Sequence, residues 1–525
     1  MDVHERLVRI TKISDIVSFW AGHAGASPAL HDPQRQLTYA ELWHAVESTA
    51  KRLVADGVAR GDRVMVVAEN CIPQVVLTFA CVVLGAWPVN INARLSQREI
   101  ETIRTHCRPR LIAFSSSIST EAATHAVQQG AIPWRGDELF DGFSIVVTSG
   151  GVDRENGELA DDVAALVYTS GTTGAPKGVM VRHSGLLHFA RVSCASRSLG
   201  PSDRVYGVLP LPHIFGFATI LLTTLYAGAC LILERRFTPE RLLETLVNER
   251  ITTFQGVPTL FTRIIEYLKR SGTKLPQSDL RYLYSGGASL DLAVKREIES
   301  VFGLPLHQGY GMTEYAGSMF ITSIDEPRDD DSSGYRNEGV EIRLLDEEGN
   351  EVAQGQVGAI QVRGPGVMRG YYRSPEATRE ALSADGWLTT GDLGRLDPAG
   401  ALFIAGRTKD LIIRSGFNVY PVEVESVLNA WPGIQLSAVV GDAQPGGDEE
   451  VVAFVELQPG RRLDMAELQR YLVRELAPYK RPSRVIILHQ MPVTINGKLQ
   501  KMLLQEWLQH GDTREHILDK DTAVS

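Results

Sequence analysis

Short apolar runs alternate with longer amphipathic segments along the first three hundred residues of the chain. Residues 39–57 place apolar side chains at helical spacing, whereas residues 63–68 form an apolar run of strand length. Further strands are predicted at residues 88–91, 164–167, 204–209, 229–233, 253–255 and 282–285, and a further helix at 75–84. This alternation predicts a mainly parallel sheet covered by helices.

The pattern changes between about residues 335 and 405 and then changes again. Short predicted strands at 340–345, 358–363 and 401–404 are separated by turns that contain Gly and Asp, which is typical of a small antiparallel or barrel-like unit. After Gly406 a second alternation begins, with helices predicted at 422–429 and 465–475 and strands at 437–440, 451–457 and 484–488. About a hundred residues suffice for a separate α+β domain.

We place the domain boundary at residues 407–410. The predicted domains are then 1–408 and 409–510, followed by a polar tail at 511–525. The predicted fold class is α/β, with a large N-terminal domain of stacked α/β sheets and a small barrel-like subdomain, followed by a small α+β C-terminal domain.

Composition and charge exclude several classes of protein. The 525 residues carry a formal net charge of −10, so the chain lacks the basic surface that nucleic-acid binding requires. The most apolar stretch, 215–233, contains glycines and is short for a membrane span, and no cationic start followed by an apolar segment marks an export signal. The five cysteines show no paired spacing, which favours buried thiols over zinc sites or disulfides. We therefore predict a cytoplasmic enzyme.

Residues 168–179 carry the most informative motif, Tyr-Thr-Ser-Gly-Thr-Thr-Gly-Ala-Pro-Lys-Gly-Val. Its glycines let backbone N–H groups turn toward a ligand, its hydroxyl groups add donors, and Lys177 adds a positive charge. This chemistry suits a polyphosphate, although Pro176-Lys177-Gly178 departs from the Gly-Lys-Ser/Thr of a Walker loop. The alternative is a flexible surface loop, which seldom concentrates these residue types.

Three weaker clusters accompany this motif. In 308–314, glycines flank Tyr310 and are followed by Glu314, so an aromatic ring could stack on a base and a carboxylate could hold Mg²⁺. In 285–289, small residues after a predicted strand allow close approach of a ligand. In 390–392, a carboxylate follows a strand-like segment and could accept two ribose hydroxyls. Taken singly, these clusters are also compatible with a hairpin around a packed tyrosine or with an ordinary strand–helix turn.

Taken together, the motifs at 168–179, 309–314, 390–392, 406–410 and 492–498 resemble, in order, those of the adenylate-forming superfamily. The resemblance covers about residues 15–508 and is strongest to acyl- and aryl-CoA synthetases such as 4-coumarate:CoA ligase and 4-chlorobenzoate:CoA ligase. It implies a two-step reaction with ATP, Mg²⁺ and coenzyme A. A carboxylate attacks the α-phosphorus of ATP to give an acyl-adenylate and pyrophosphate, and a thiol then displaces AMP.

The resemblance also implies a role for each nucleotide-binding residue. Tyr310 would stack on adenine, Thr313 would meet the α-phosphate, Glu314 would hold Mg²⁺, and Asp392 and Arg407 would bind the ribose. The remaining expected nucleotide contacts are Thr169, Ser170, Gly171, Thr172, Thr173, Gly174, Lys177, Gly287, Ala288 and Gly311.

Two lysines and a group of C-terminal residues receive roles in the same way. Lys498 would bridge the carboxylate and the α-phosphate during adenylation, and Lys409 would be the hinge about which a mobile C-terminal domain rotates for thioester formation. The expected CoA contacts are Ser415, Gly416, Phe417, Tyr479 and Arg481. Gly447 departs from the family pattern, because 4-chlorobenzoate:CoA ligase has a tryptophan there that stacks on CoA, so a carrier-protein thiol stays open as an alternative acceptor.

The acid itself is constrained by the segment 211–222. His213 matches a residue that lies beside the substrate carboxylate in related ligases, and the alternative is a core histidine. The segment from 215 to 222 lacks the acidic residue that binding of an α-amino group would need. We therefore expect an aryl or medium-chain acid rather than an amino acid. The expected acyl-pocket residues are His213, Phe215, Phe217, Gly286, Tyr315, Gly317 and Ser318, although aromatic residues at such positions are often plain core. The oligomeric state is expected to be a monomer or homodimer, and a nucleotide-binding protein without catalysis is disfavoured by the presence of Glu314 and Lys498.

Overall fold

A nine-stranded sheet forms the centre of the molecule. The computed structural model describes residues 6–148, 153–169, 176–288, 290–414, 417–444, 449–494 and 499–510. Its six inner strands are parallel, and its remaining three strands pair antiparallel at the two edges. The strand order is Tyr335–Arg336, Gly317–Ile321, Leu306–Met312, Tyr282–Ser285, Thr253–Gly256, Arg204–Gly207, Cys230–Leu233, Pro28–His31 and Gln36–Thr38. The predicted mainly parallel sheet is confirmed.

A second sheet of five strands and a separate two-stranded hairpin complete the α/β region. The sheet order is Trp87–Asn92, Arg63–Ala68, Leu111–Phe114, Ser144–Val147 and Ile132–Pro133, and the hairpin pairs Val163–Thr169 with Lys177–Arg182. The α-helices of this region are Ser14–Ala24, Tyr39–Ala55, Ile72–Leu84, Gln97–Cys107, Thr120–Gln128, Gly157–Asp162, His183–Arg197, Thr223–Tyr226, Pro239–Asn248, Pro258–Ser271, Leu292–Phe302 and Pro375–Ala381. A π-helix spans Phe215–Leu222, and 3₁₀ turns span Glu138–Phe140 and Thr313–Tyr315.

The predicted antiparallel unit is a four-stranded sheet in the order Glu341–Leu345, Gly358–Arg363, Leu388–Leu396 and Leu402–Arg407. The sequence placed Asp392 after a strand, but Asp392 lies inside the strand Leu388–Leu396. The register of this strand shifts near Asp392 in its pairing with both neighbouring strands, Gly358–Arg363 and Leu402–Arg407. Gly391 has a φ of 77°. Such a bulge lets one strand continue while the direction of a side chain changes.

The C-terminal part contains its own sheet and helices, as predicted. A short hairpin pairs Ile412–Arg414 with Phe417–Val419, and a three-stranded sheet has the order Ile434–Ala443, Glu449–Leu457 and Arg484–Leu488. The helices are Pro421–Asn429, Met465–Glu475 and Lys501–His510, with 3₁₀ turns at Thr408–Asp410 and Pro478–Lys480. The α/β fold class is confirmed, while the boundary at residues 407–410 stays a prediction.

Among the described residues, hydrogen bonds join the C-terminal part to the central region. The Ser426 hydroxyl donates to Asp291 Oδ2 at 3.1 Å, and the Gln435 amide donates to Glu266. All five cysteines are buried, as the sequence predicted. Within the described ranges, none of the helices combines the length and the apolar character that a membrane crossing needs.

Candidate functional site

The two ends of the motif 168–179 are held side by side by a hairpin. The strands Val163–Thr169 and Lys177–Arg182 pair antiparallel, with Thr169 opposite Lys177. The first five residues of the strand Val163–Thr169 are apolar and buried, so this strand is covered on both faces, and its partner buries Val179 and Val181. Of the predicted phosphate ligands, Ser170, Gly171, Thr172, Thr173 and Gly174 lie outside the described residues.

A third segment, residues 369–372, lies along this hairpin. The Met180 amide donates to Gly370 O at 3.0 Å, and the Tyr372 amide donates to Gly178 O at 2.8 Å. This pairing brings the ring of Tyr371 next to the motif lysine, whose Nζ lies 4.9 Å from the ring centroid. A cation at this distance from an aromatic face is attracted by the ring quadrupole.

Tyr371 also contacts the predicted magnesium carboxylate. Its hydroxyl donates to Glu314 Oε1 at 2.8 Å, and the Met368 amide donates to Glu314 O at 2.8 Å. Burial, and then Glu314, raise the pKa of Tyr371, so its hydroxyl stays protonated and acts as a donor at neutral pH. One tyrosine therefore connects Lys177 with Glu314. Sequence reasoning missed Tyr371, because nothing local distinguishes it from Tyr372.

A second cluster unites three residues that the sequence singled out separately. The Tyr310 hydroxyl donates to Asp392 Oδ2 at 2.6 Å, and Arg407 Nε lies 3.3 Å from Asp392 Oδ1. Asp392 and Arg407 are directly opposite in adjacent strands. Burial, and then the Asp392 carboxylate, raise the pKa of Tyr310, so its phenol also remains a donor.

The glycines on both sides of Tyr310 are required by a close neighbouring strand. A Cβ at Gly309 would lie 2.4 Å from the Tyr284 hydroxyl, and a Cβ at Gly311 would lie 2.2 Å from Gly317 O. Side chains at either position would push the strands Leu306–Met312 and Gly317–Ile321 apart. The glycines that the sequence connected with a ligand thus have a packing role as well.

Several predicted acyl-pocket residues meet around Tyr284. Its ring lies edge-to-face with Phe215 at 5.8 Å between centroids, and its hydroxyl lies 3.1 Å from Ser318 Oγ. A Cβ at Gly286 would lie 3.1 Å from Tyr284 Cε1 and 3.4 Å from the Phe215 ring. Gly287, with a φ of 77°, follows on the same loop, at the carboxyl end of a parallel strand, where open α/β sheets bind ligands.

His213 stands at the entrance to the π-helix Phe215–Leu222. Its Nδ1 accepts the Phe215 amide at 3.2 Å, so the neutral ring carries its proton on Nε2. π-helical turns frequently occur at functional sites. Phe217 is fully buried in the central core.

Tyr315 ends the short turn Thr313–Tyr315, and Gly317 begins the strand that follows it. Gly317 has a φ of 143°, and a Cβ there would lie 2.7 Å from the Phe189 ring. The buried Tyr315 ring packs against Gly364 and Gly366, where added Cβ atoms would lie 2.3 and 2.4 Å from it. Gly317 therefore lets the helix His183–Arg197 approach the predicted pocket, while Tyr315 faces a neighbouring loop.

In the C-terminal part, two of the predicted CoA contacts are stacked on each other. Phe417 and Tyr479 lie 4.7 Å apart with an interplanar angle of 21°, and Phe417 is 54% exposed. The side chain of Arg481 donates to the carbonyl groups of Leu476 and Val473 at 2.9 Å each, and its predicted contact with CoA stays a prediction. The predicted residues Ser415, Gly416 and Lys498, and also Gly447, are outside the described ranges.

The described residues contain no group of three or more His, Cys, Asp or Glu side chains that could hold a metal by themselves. A site that combines one carboxylate with substrate phosphates is the usual arrangement for Mg²⁺. Glu314, which accepts a hydrogen bond from Tyr371, fits that arrangement, and Lys177 lies over the ring of the same tyrosine.

The α/β fold and the arrangement of these motifs agree with the comparisons with known families. Comparison with known families matches residues 18–372 to the AMP-binding enzyme model and residues 423–498 to the AMP-binding enzyme C-terminal domain. The chain therefore belongs to the AMP-binding enzyme family, which confirms the resemblance seen in the motifs.

Individual relatives support the same assignment. The chain is 35% identical to feruloyl-CoA synthase from Amycolatopsis sp over 474 residues, which is 89% of this chain and 92% of that protein. It is 30% identical to the medium-chain fatty-acid–CoA ligase of Escherichia coli over 515 residues, 94% of this chain and 90% of the relative. The ATP-bound structure of MatB from Rhodopseudomonas palustris superposes with a TM-score of 0.82 and 32% identity, covering 94% and 98% of the two chains. The protein is thus an AMP-forming acid–thiol ligase that uses ATP and CoA.

Proposed function

We propose that the chain adenylates an aryl or medium-chain acyl carboxylic acid and transfers the acyl group to the thiol of coenzyme A. The observation that carries this proposal is the contact of Tyr371 with both Lys177 and Glu314, because it holds a cation over the face of the ring and a carboxylate at the ring's hydroxyl, beside the motif 168–179. Phosphoryl transfer depends mainly on such positioning and charge neutralisation.

The nucleotide would lie between the hairpin and the four-stranded sheet. Lys177 and the hydroxyls of 169–173 would receive the β- and γ-phosphates, and Thr313 would receive the α-phosphate. Asp392 would accept the ribose hydroxyls, and its ion pair with Arg407 and its bond from Tyr310 favour the charged, acceptor-only form of the carboxylate. The ring of Tyr310 would support the adenine base beside Gly287 and Ala288.

Mg²⁺ would be held by Glu314 together with the phosphates. When bound, it would neutralise charge on the triphosphate. The protein's own contribution is to keep the Glu314 carboxylate aimed by the Tyr371 hydroxyl and the backbone contact to Met368. Lys498 would supply a second positive charge between the carboxylate and the α-phosphate as adenylation proceeds.

The acyl group would enter between the π-helix, the Gly286–Gly287 turn and Ser318. Phe215, Tyr284 and Phe189 give this region apolar walls, which suits an aromatic ring or an alkyl chain. The π-helix Phe215–Leu222 offers no carboxylate for an α-ammonium group, which argues against amino acids. Relatives named for feruloyl and medium-chain fatty acids favour the same classes.

The thiol would reach the adenylate after rotation of the C-terminal domain about Lys409. The exposed Phe417–Tyr479 stack offers a flat apolar surface for the CoA base, near the expected tunnel residues 415 and 416. A carrier-protein phosphopantetheine is the competing acceptor. We propose that free CoA suffices, in a monomer or homodimer located in the cytoplasm.

A pyrophosphate-release assay with an acid panel tests the first step. Aryl and medium-chain acids are expected to exceed acetate and amino acids, and AMP release should require CoA but no carrier protein. Lys498→Ala is expected to abolish adenylation while nucleotide binding persists. Preference for amino acids or acetate, or full adenylation by this variant, would refute the corresponding part of the proposal.

A further inference from the structure

A buried arginine lies below the predicted acyl pocket. Arg197 is the last residue of the helix His183–Arg197 and is fully buried. Its guanidinium lies 4.4 Å from the centroid of the Tyr284 ring and 5.9 Å from that of Tyr282. Within the described part of the chain, Nε, Nη1 and Nη2 all lack a hydrogen-bond partner of acceptable geometry. A guanidinium buried in this way is costly unless an anion pairs with it.

The nearby acidic residue is already engaged elsewhere. Both Asp203 oxygens accept from Arg281, at 2.9 and 2.7 Å, and Oδ1 also accepts from Thr252 at 2.7 Å. Arg281 itself donates to the Arg197 carbonyl, which adds a second cation to the neighbourhood. The stacked ring of His307 contributes no negative charge. The charge of Arg197 is therefore not balanced by this cluster.

The helix that carries Arg197 also forms part of the predicted pocket wall. Phe189, Ser193 and Arg197 are spaced four residues apart and share one helix face. The Phe189 ring meets Gly317, while Ser193 Oγ is buried and, among the described residues, has no partner. Helical side chains lean toward the helix N-terminus, so the Arg197 side chain extends back toward Ser193 and the pocket.

Tyr284 connects the two regions. Tyr284 contacts the predicted pocket residues Phe215, Gly286 and Ser318. The guanidinium of Arg197 lies over its ring, 4.4 Å from the centroid. The guanidinium is thus about one ring away from the pocket wall. The Cα atoms of Phe189 and Arg197 are separated by about 12 Å along the helix axis. The Arg197 side chain covers part of this distance, because it leans toward the helix N-terminus.

We propose that Arg197 and Ser193 form a distal subsite that binds a second anionic group, a carboxylate or sulfonate, at the far end of the acyl substrate. This inference rests on the proposed function and specifies its substrate class. The planar guanidinium fork suits two parallel hydrogen bonds to such an anion, and the serine hydroxyl adds a third donor. The separation along the helix requires a ring or several methylene groups between the two acidic groups rather than a single carbon.

Matched acids test this assignment in the pyrophosphate-release assay. We compare heptanoic with heptanedioic acid, and 4-methylbenzoic with 4-carboxybenzoic acid, in the wild-type protein and in Arg197→Met, Arg197→Lys and Ser193→Ala. The wild type is expected to favour the diacid of at least one pair by tenfold or more in kcat/KM. Arg197→Met should remove that preference, and Arg197→Lys should retain part of it.

Thermal unfolding provides a readout that a purely structural arginine would not give. The preferred diacid should raise the Tm of the wild type but not that of Arg197→Met. Without ligand, Arg197→Met should have a Tm equal to or higher than that of the wild type. Arg191→Met is the matched control, because Arg191 is on the same helix but pairs with the exposed Glu338 at 2.8 Å. This control should keep the wild-type preference.

The outcomes separate the subsite from the overall function. Turnover of monoacids without any preference for a diacid, or an equal loss for both acids in Arg197→Met, would overturn the subsite alone. If neither the monoacids nor the diacids support pyrophosphate release, the proposed function and the subsite are both contradicted. If Arg197→Met does not fold, Ser193→Ala tests the subsite instead. An unchanged diacid preference in Ser193→Ala would refute the serine contact and the subsite formed by Arg197 and Ser193.

Discussion

Replacing Tyr371 with phenylalanine removes one hydroxyl from the candidate site and leaves the ring in place. The 2.8 Å hydrogen bond to Glu314 Oε1 is lost, whereas the ring that faces Lys177 remains. Hydrogen bonds to charged groups contribute about 1.5–3 kcal/mol. Glu314 is only partly buried, so water can replace part of the lost interaction, and we use the lower bound. At about 1.4 kcal/mol for each factor of ten, adenylation at limiting Mg²⁺ should fall roughly tenfold.

The assay is ATP–pyrophosphate exchange measured over a range of Mg²⁺ concentrations. Tyr371→Phe should raise the Mg²⁺ concentration needed for half-maximal rate, because the free Glu314 side chain must be ordered when the ion binds. Tyr372→Phe is the matched control, since its hydroxyl bonds to Glu155 Oε1 at the same 2.8 Å but does not contact Glu314. Identical Mg²⁺ curves for wild type and Tyr371→Phe, or equal shifts in both variants, would refute the reasoning.

Three further perturbations follow from the backbone and from a buried ring. Gly317→Ala should lower the free energy of unfolding by about 3 kcal/mol, since it combines a φ of 143° with a close aromatic contact. Gly349→Ala, at a φ of 84° in open space, should cost only about 1 kcal/mol; equal losses in urea unfolding would contradict this. Lys409→Pro should impair either adenylation or thioester formation more than the other, because proline restricts φ at the expected hinge; single-turnover assays that show equal losses would argue against rotation there. Burial, and then Arg197, lower the pKa of His307 from 6.5 to about 4. The unfolded chain therefore binds a proton that the folded chain does not between these pH values, and stability falls by up to about 3 kcal/mol as the pH drops from 6.5 to 4. His307→Gln should flatten this part of the curve of unfolding free energy against pH, and an unchanged slope in that variant would disprove the assignment.

Local sequence patterns predicted several strands and helices as well as the residue types of the motifs. The strand Tyr282–Ser285 and the helix Met465–Glu475 have the predicted bounds. These elements follow from apolar periodicity within a few residues, and that information is local. The motif 168–179 was recognisable for a similar reason, because hydroxyl groups, glycines and a lysine are concentrated in twelve consecutive positions.

Contacts between side chains that are far apart in the sequence depend on how the elements pack. Tyr371 and Glu314 are 57 residues apart, and their contact depends on the pairing of residues 369–372 with the strand Lys177–Arg182. The adjacent Tyr372 has the same chemistry but points to Glu155, because successive side chains along an extended segment face opposite sides. Arg197 likewise has the sequence signal of an ordinary helix-terminal arginine, and its burial against Tyr284 arises from the packing of a helix on a sheet. Sheet register and helix packing are sums over many long-range contacts, so no short stretch of sequence contains them.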